Sequence, residues 1–103
     1  MAVLKLLYGE GEIVVPTLTW VSDIVSVIQN NFKPVFVDIN PKNLCMSETQ
    51  IIKKVNNKTL AVFMTHVQGF NGLSNKLISF LRKRKILLIE DVCESHGATF
   101  NNK

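Results

Sequence analysis

Asp91 ends an apolar run at 86–91 and is followed within five residues by Cys93, Glu94 and His96. A carboxylate at the end of a greasy segment has two ordinary uses. It caps the segment that follows, or it waits as a buried anion for a cationic group of a ligand; spacing alone does not choose between them. Cys93 and His96, three apart, have the spacing of half a zinc site. Cys45 and His66 stand alone, so the second half is missing and no metal is assigned. Other chemistry-bearing residues follow the remaining apolar runs: Pro16, Thr17, Thr19 and Trp20 after the first, Asp38 and Asn40 after the second, and Thr65, His66, Gln68 and Gly69 after the third. The familiar phosphate and nucleophile loops are absent. Gly9 and Gly11 precede a strand where a dinucleotide loop would follow one, and neither GxxxxGK[ST] nor GxSxG occurs.

These residues need elements to position them. Four short runs, 12–15, 34–38, 60–65 and 86–91, read almost continuously apolar, as strands buried on both faces do. Helical patterns lie between them. Val21, Ile24, Val25 and Ile28 are spaced as one apolar helix face, and Leu73, Leu77, Phe80 and Leu81 as another. Ser47-Glu48-Thr49-Gln50 has the form of a capping box, with Met46 and Ile51 placed for a hydrophobic staple. Residues 1–8 read as the last turns of a helix. The alternation of strand and helix predicts an α/β fold, a parallel sheet of about four strands in a single unit over 1–103. In such a sheet ligands bind beyond the carboxyl ends of the strands, where the chemistry-bearing residues above are gathered.

Composition narrows the classes. With 103 residues, 47% hydrophobic and 19% charged, the chain has a globular make-up and room for one domain at most. No apolar run approaches the roughly 18 residues of a membrane span, so no membrane partner is expected. The net charge of +4 comes partly from Arg82-Lys83-Arg84-Lys85. That run closes a predicted helix, where cations face the negative end of the dipole. No aromatic residues interleave with it, so nucleic acid is not expected as a partner. The two cysteines form no framework and point to a reducing compartment, the cytoplasm. A phospho-receiver-like interaction module would want paired acids after the first strand and a lysine after the last. Pro16-Thr17 and the lack of a lysine directly after Asp91 argue against it.

Three stretches in order resemble one family. GEGEIVVPTLTWVSDIVSVIQNNFKPVFVDINPKNLCMS is similar to the GDEVIVP…T[FYW]…G…PVFVDID stretch of the DegT/DnrJ/EryC1/StrS aminotransferases. KTLAVFMTHVQGFNGL resembles their KTKAI…VH…GNP, and LLIEDVCESHGATFNNK their IEDAAQA.GA.Y.G. The resemblance runs from about Gly9 to Lys103. It implies a partial large domain of the aspartate-aminotransferase-like fold, with helices on both sheet faces, and pyridoxal phosphate (PLP) as cofactor. It implies nucleotide-linked keto-sugars as substrates, an amino-acid amine donor and a homodimer. Asp91 matches the carboxylate paired with the cofactor's ring nitrogen, Trp20 the aromatic stacked on its ring, and His66 the histidine after the third strand here. Glu94 matches the position beside the cofactor's phenolic oxygen in the family, where its aminotransferases often carry Gln or His. An acidic residue there resembles the sibling branch, the sugar 3-dehydrases, in which a His replaces the Schiff-base Lys. Gln68 and Phe70-Asn71-Gly72 also depart from the GNP turn. By the same resemblance the phosphate-binding helix start would precede residue 1 and the Schiff-base lysine would follow residue 103. These 103 residues are therefore expected to be a piece of a longer enzyme, inactive alone, or else a gene remnant. The strands are expected in the spatial order two, one, four, three, with the third strand at a bare edge.

Overall fold

The computed structural model describes residues 1–102. Of the tail Asn101-Asn102-Lys103, the last residue lies outside the described part. The elements run α1 (Ala2–Tyr8), β1 (Glu12–Pro16), α2 (Val21–Gln29), β2 (Lys33–Val37), α3 (Glu48–Lys54), β3 (Thr59–Thr65), a 3-10 turn (Val67–Gly69), α4 (Asn75–Arg84) and β4 (Leu87–Asp91). All strand pairs are parallel.

The order across the sheet is β2-β1-β3-β4, which corrects the expected two, one, four, three. The reason lies in what each strand can afford to show to water. All five residues of β1 are buried, and β3 is nearly as dry, so these two take the centre. β4 leaves Leu87 and Glu90 exposed and takes an edge, as does β2 with Phe36. Pro34 fits that edge, because a missing N–H is tolerated where no further strand must be bonded. The bare edges are thus β2 and β4, while β3 is covered on both sides.

Alternation along the strands splits the core in two. Val14, Val62, Met64 and Leu88 meet Ile51, Leu77 and Leu81 of α3 and α4 on one face. Ile13, Val15, Ala61, Phe63 and Ile89 meet Val27 and Phe32 on the other, with Met1 and Leu4 at the margin. Helices therefore cover both faces, as the resemblance implied.

Two local expectations change. In α2 the inward residues are Asp23 and Val27, with Ile24 half-buried; Val21 and Ile28 are 66% and 54% exposed. The predicted apolar stripe Val21, Ile24, Val25, Ile28 is mostly turned outward, because Asp23 is drawn inward by hydroxyls on its buried side. The capping box at Ser47 does not close either. The Ser47 N–H already donates to the Asp38 carbonyl (2.9 Å), and Gln50 Oε1 accepts from the Asp38 N–H (2.9 Å). Gln50 thus ties α3 to the end of β2 instead of reaching back to Ser47. Met46 and Ile51 are both buried in one cluster. At α4, Ser74 Oγ accepts from the Leu77 N–H (3.0 Å), and the last turn carries Arg82, Lys83 and Arg84.

Three carboxylates make the fold sensitive to acid. Glu12 is held below its ordinary value by the Asn56 side chain (2.8 Å) and then by Lys33 (3.0 Å). Ser74 and then Lys76 do the same for Glu48. Asp91 is lowered by Cys93, thiol first and backbone second. A folded-state pKa below the unfolded one adds stability that is present above the unfolded value, about 4. That stability is lost as pH falls through the folded values. Urea melts at pH 7, 5, 4 and 3 are expected to show a nearly constant midpoint down to about pH 5 and a steep fall below about pH 4. A midpoint unchanged from pH 5 to pH 3 would contradict this.

Candidate functional site

The order β2-β1-β3-β4 makes the chain leave β1 toward one side and return to β3 on the other. Parallel sheets open a crevice at such a reversal, beyond the carboxyl ends of the strands. A pocket of about 380 Å³ lies there. It is lined by Leu18, Thr19, Trp20 and Ser22 after β1, Thr65 and Val67 at the end of β3, and Asp91, Cys93 and Glu94 at the end of β4. A larger hollow of about 860 Å³ runs along the free edge of β4 under α4. Its apolar floor and open edge suit packing, whereas the smaller pocket joins a carboxylate to an exposed aromatic at the strand ends.

Trp20 precedes the first turn of α2 and is 72% exposed. Core packing is therefore not its role, and its ring is free to meet a flat ligand. Asp91 Oδ1 accepts from the Cys93 N–H (3.0 Å). The neighbouring Cys93, thiol first and backbone N–H second, holds the acid below the usual carboxylate range, and the carboxylate in turn pushes the thiol up. Asp91 thus caps the turn after β4, where no helix follows. Among the described residues no ion pair involves it. Glu94 Oε2 accepts from the Gln68 N–H (2.7 Å) and pins the 3-10 turn to the pocket wall.

His66 is not brought to this pocket. Successive residues of a strand face opposite sides. Thr65 and Asp91 share the α2 side, which puts His66 on the α4 side. There its Nδ1 accepts from the Gly72 N–H (3.2 Å) and its Nε2 lies 2.9 Å from Glu90 Oε1. With Nδ1 accepting, the ring proton sits on Nε2 and is donated to Glu90. His66 thereby fastens the 66–72 loop to β4.

Sequence reasoning missed Asp23. It is only 5% exposed, and its Oδ2 accepts from the hydroxyls of Thr19 (2.5 Å) and Thr65 (2.9 Å). A signal existed: Asp23 stands four residues from both Thr19 and Val27, in phase with the one fully buried apolar residue of α2. The 3-10 turn has its own constraint. Gly69 has φ +79°, and a Cβ there would sit 2.9 Å from the Glu94 carbonyl oxygen. Gly69→Ala is expected to cost about 1–2 kcal/mol in a urea melt. A cost below about 0.5 kcal/mol would mean that the turn relaxes freely.

A four-stranded parallel sheet with a pocket at its switch point places the chain among the open α/β folds, in which ligands bind at the carboxyl ends of the strands. The chain belongs to the DegT/DnrJ/EryC1/StrS aminotransferase family, whose model matches residues 1–103. It is 31% identical over 104 residues to the GDP-perosamine synthase of Escherichia coli O157:H7, covering 100% of this chain and 29% of that one. It is 30% identical over 96 residues to the L-glutamine:2-deoxy-scyllo-inosose aminotransferase of Micromonospora echinospora, covering 92% of this chain and 23% of that one. Among solved structures, the E. coli GDP-4-keto-6-deoxy-D-mannose-3-dehydratase with bound hydrated PLP superposes with a TM-score of 0.83 at 34% identity, over 91% of this chain and 24% of that one. DesV of S. venezuelae gives a TM-score of 0.88 at 21% identity over 99% of this chain and 28% of that one, and supports the fold alone. The chain thus spans about a quarter of the length of the relatives it matches.

Proposed function

We propose that residues 1–103 are part of the cofactor-binding large domain of a PLP-dependent aminotransferase acting on nucleotide-linked keto-sugars. One observation carries this reading. Asp91, an anion with no protein cation among the described residues, faces the same pocket as the exposed ring of Trp20. That pair fits a cationic aromatic ring. The carboxylate favours the protonated ring nitrogen, and the indole lies where it can cover the ring face. Asp91 would hold the ring nitrogen, Trp20 the ring plane, and Glu94 the side of the phenolic oxygen. A bound PLP supplies the electron sink that lets an amino group be exchanged. His66 supports the loop behind the pocket and takes no direct part.

Glu94 favours a second reading, the sugar 3-dehydratase. Its carboxylate lines the pocket, and the relative of known structure at 34% identity is a dehydratase. The reading extends to an amino-acid amine donor, a homodimer and the cytoplasm. Support comes from glutamate in the name of one related structure, from the outward apolar residues of α2, and from the free thiols Cys45 and Cys93. The test uses the intact reading frame that contains these residues, supplied with PLP, L-glutamate and a nucleotide-linked 4-keto sugar. An aminotransferase transfers the glutamate nitrogen to the sugar and yields 2-oxoglutarate in equal amount. A dehydratase yields a sugar without its 3-hydroxyl and with no nitrogen retained. Formation of neither product by the folded, PLP-supplied protein would overturn the proposal. The 103 residues alone are expected to give no turnover.

A further inference from the structure

Position 23 is in phase with Val27, so an apolar side chain would pack there without the cost of taking a carboxylate out of water. What only a hydrogen-bonding residue can do at that place is hold two hydroxyls. Those hydroxyls come from Thr19 and Thr65, both of which line the pocket, and their oxygens lie 2.6 Å apart. Thr19 is the neighbour of Trp20 in the rim after β1. Thr65 ends β3 and is the register partner of Asp91 on β4. The chain of contacts from the aromatic plane to the ring-nitrogen carboxylate therefore passes through one buried side chain.

We propose that Asp23 is a positioning residue: by tethering the Thr19–Trp20 rim to Thr65, it holds the Trp20 ring and the Asp91 carboxylate at the separation that one flat cationic ring requires. The inference rests on the PLP reading for the identity of that ring, but the tether itself does not.

Trp20 is the only tryptophan of the chain, so its fluorescence reports the rim directly. The probe ligand is pyridoxine 5′-phosphate, whose alcohol cannot condense with surface lysines. Asp23→Ala is expected to lower the emission anisotropy of Trp20 toward that of an unrestrained side chain. It is also expected to weaken the ligand roughly tenfold, the effect of losing one or two buried hydrogen bonds. Asp23→Asn keeps an oxygen acceptor and is expected to restore the anisotropy, with affinity within about threefold of wild type. Wild-type anisotropy in a folded Asp23→Ala chain, or an Asp23→Asn chain as mobile as Asp23→Ala, overturns the proposal. If circular dichroism shows Asp23→Ala to be unfolded, the double variant Thr19→Val/Thr65→Val removes the same tether. A drop in its anisotropy supports the proposal and a wild-type value overturns it. Affinity is measured in the intact reading frame that contains these residues; failure of that wild-type protein to bind the ligand counts against the PLP reading alone, because the anisotropy of the 103-residue chain still decides the tether.

Discussion

Asp91→Asn is expected to weaken the binding of pyridoxine 5′-phosphate by about tenfold to a hundredfold while leaving the fold intact. The substitution keeps the oxygen that accepts from the Cys93 N–H, so the turn after β4 stays capped. It removes the charge. A hydrogen bond to a charged partner contributes about 1.5–3 kcal/mol, and each 1.4 kcal/mol is a factor of ten. Because Cys93 holds Asp91 below the usual carboxylate range, the wild-type acid is fully ionised at neutral pH and the whole difference is available to a cationic ring. Equal affinity of the two proteins in equilibrium dialysis would remove Asp91 from the site.

The second large effect concerns stability. Leu77 is fully buried where α4 meets the sheet, in a cluster with Val62, Met64 and Ile51. Leu77→Ala removes that packing and leaves a cavity, at a cost of about 2–5 kcal/mol. A domain of this size has about 5–15 kcal/mol in total. The variant is expected to lose about a third of its stability in a urea melt, from the middle of both ranges. A loss below about 1 kcal/mol would mean that α4 is not docked as described.

The strands were legible because the pattern of burial writes itself directly into residue type. β1 and β3 are apolar throughout since both faces are covered, and the alternation of strand and helix then gives a parallel sheet. Asp91 was legible as the last residue of a strand and Trp20 as a residue just past one, and both line the same pocket. What the sequence could not carry was pairing between distant segments. The order of β3 and β4 depends on which strand tolerates an edge, and that is settled by helices packing from both faces. The turn of α2 depends on Thr65, 42 positions from Asp23. Hydrophobic periodicity assigns Val21, Ile24, Val25 and Ile28 to the core and passes over a carboxylate whose partners lie elsewhere in the chain. The Ser47 box failed for the same reason, because Asp38 at the end of β2 already occupies the groups that the box would use.

The claim that Asp91 meets a pyridine nitrogen is tested most directly by ¹⁵N spectroscopy of ring-labelled pyridoxine 5′-phosphate in the presence of the protein encoded by the intact reading frame that contains these residues. The bound ring nitrogen is expected to keep its proton at a pH where the free ligand has lost it, and Asp91→Asn is expected to abolish that difference. A bound nitrogen that titrates as it does in free solution, or no bound signal at all, would contradict the account.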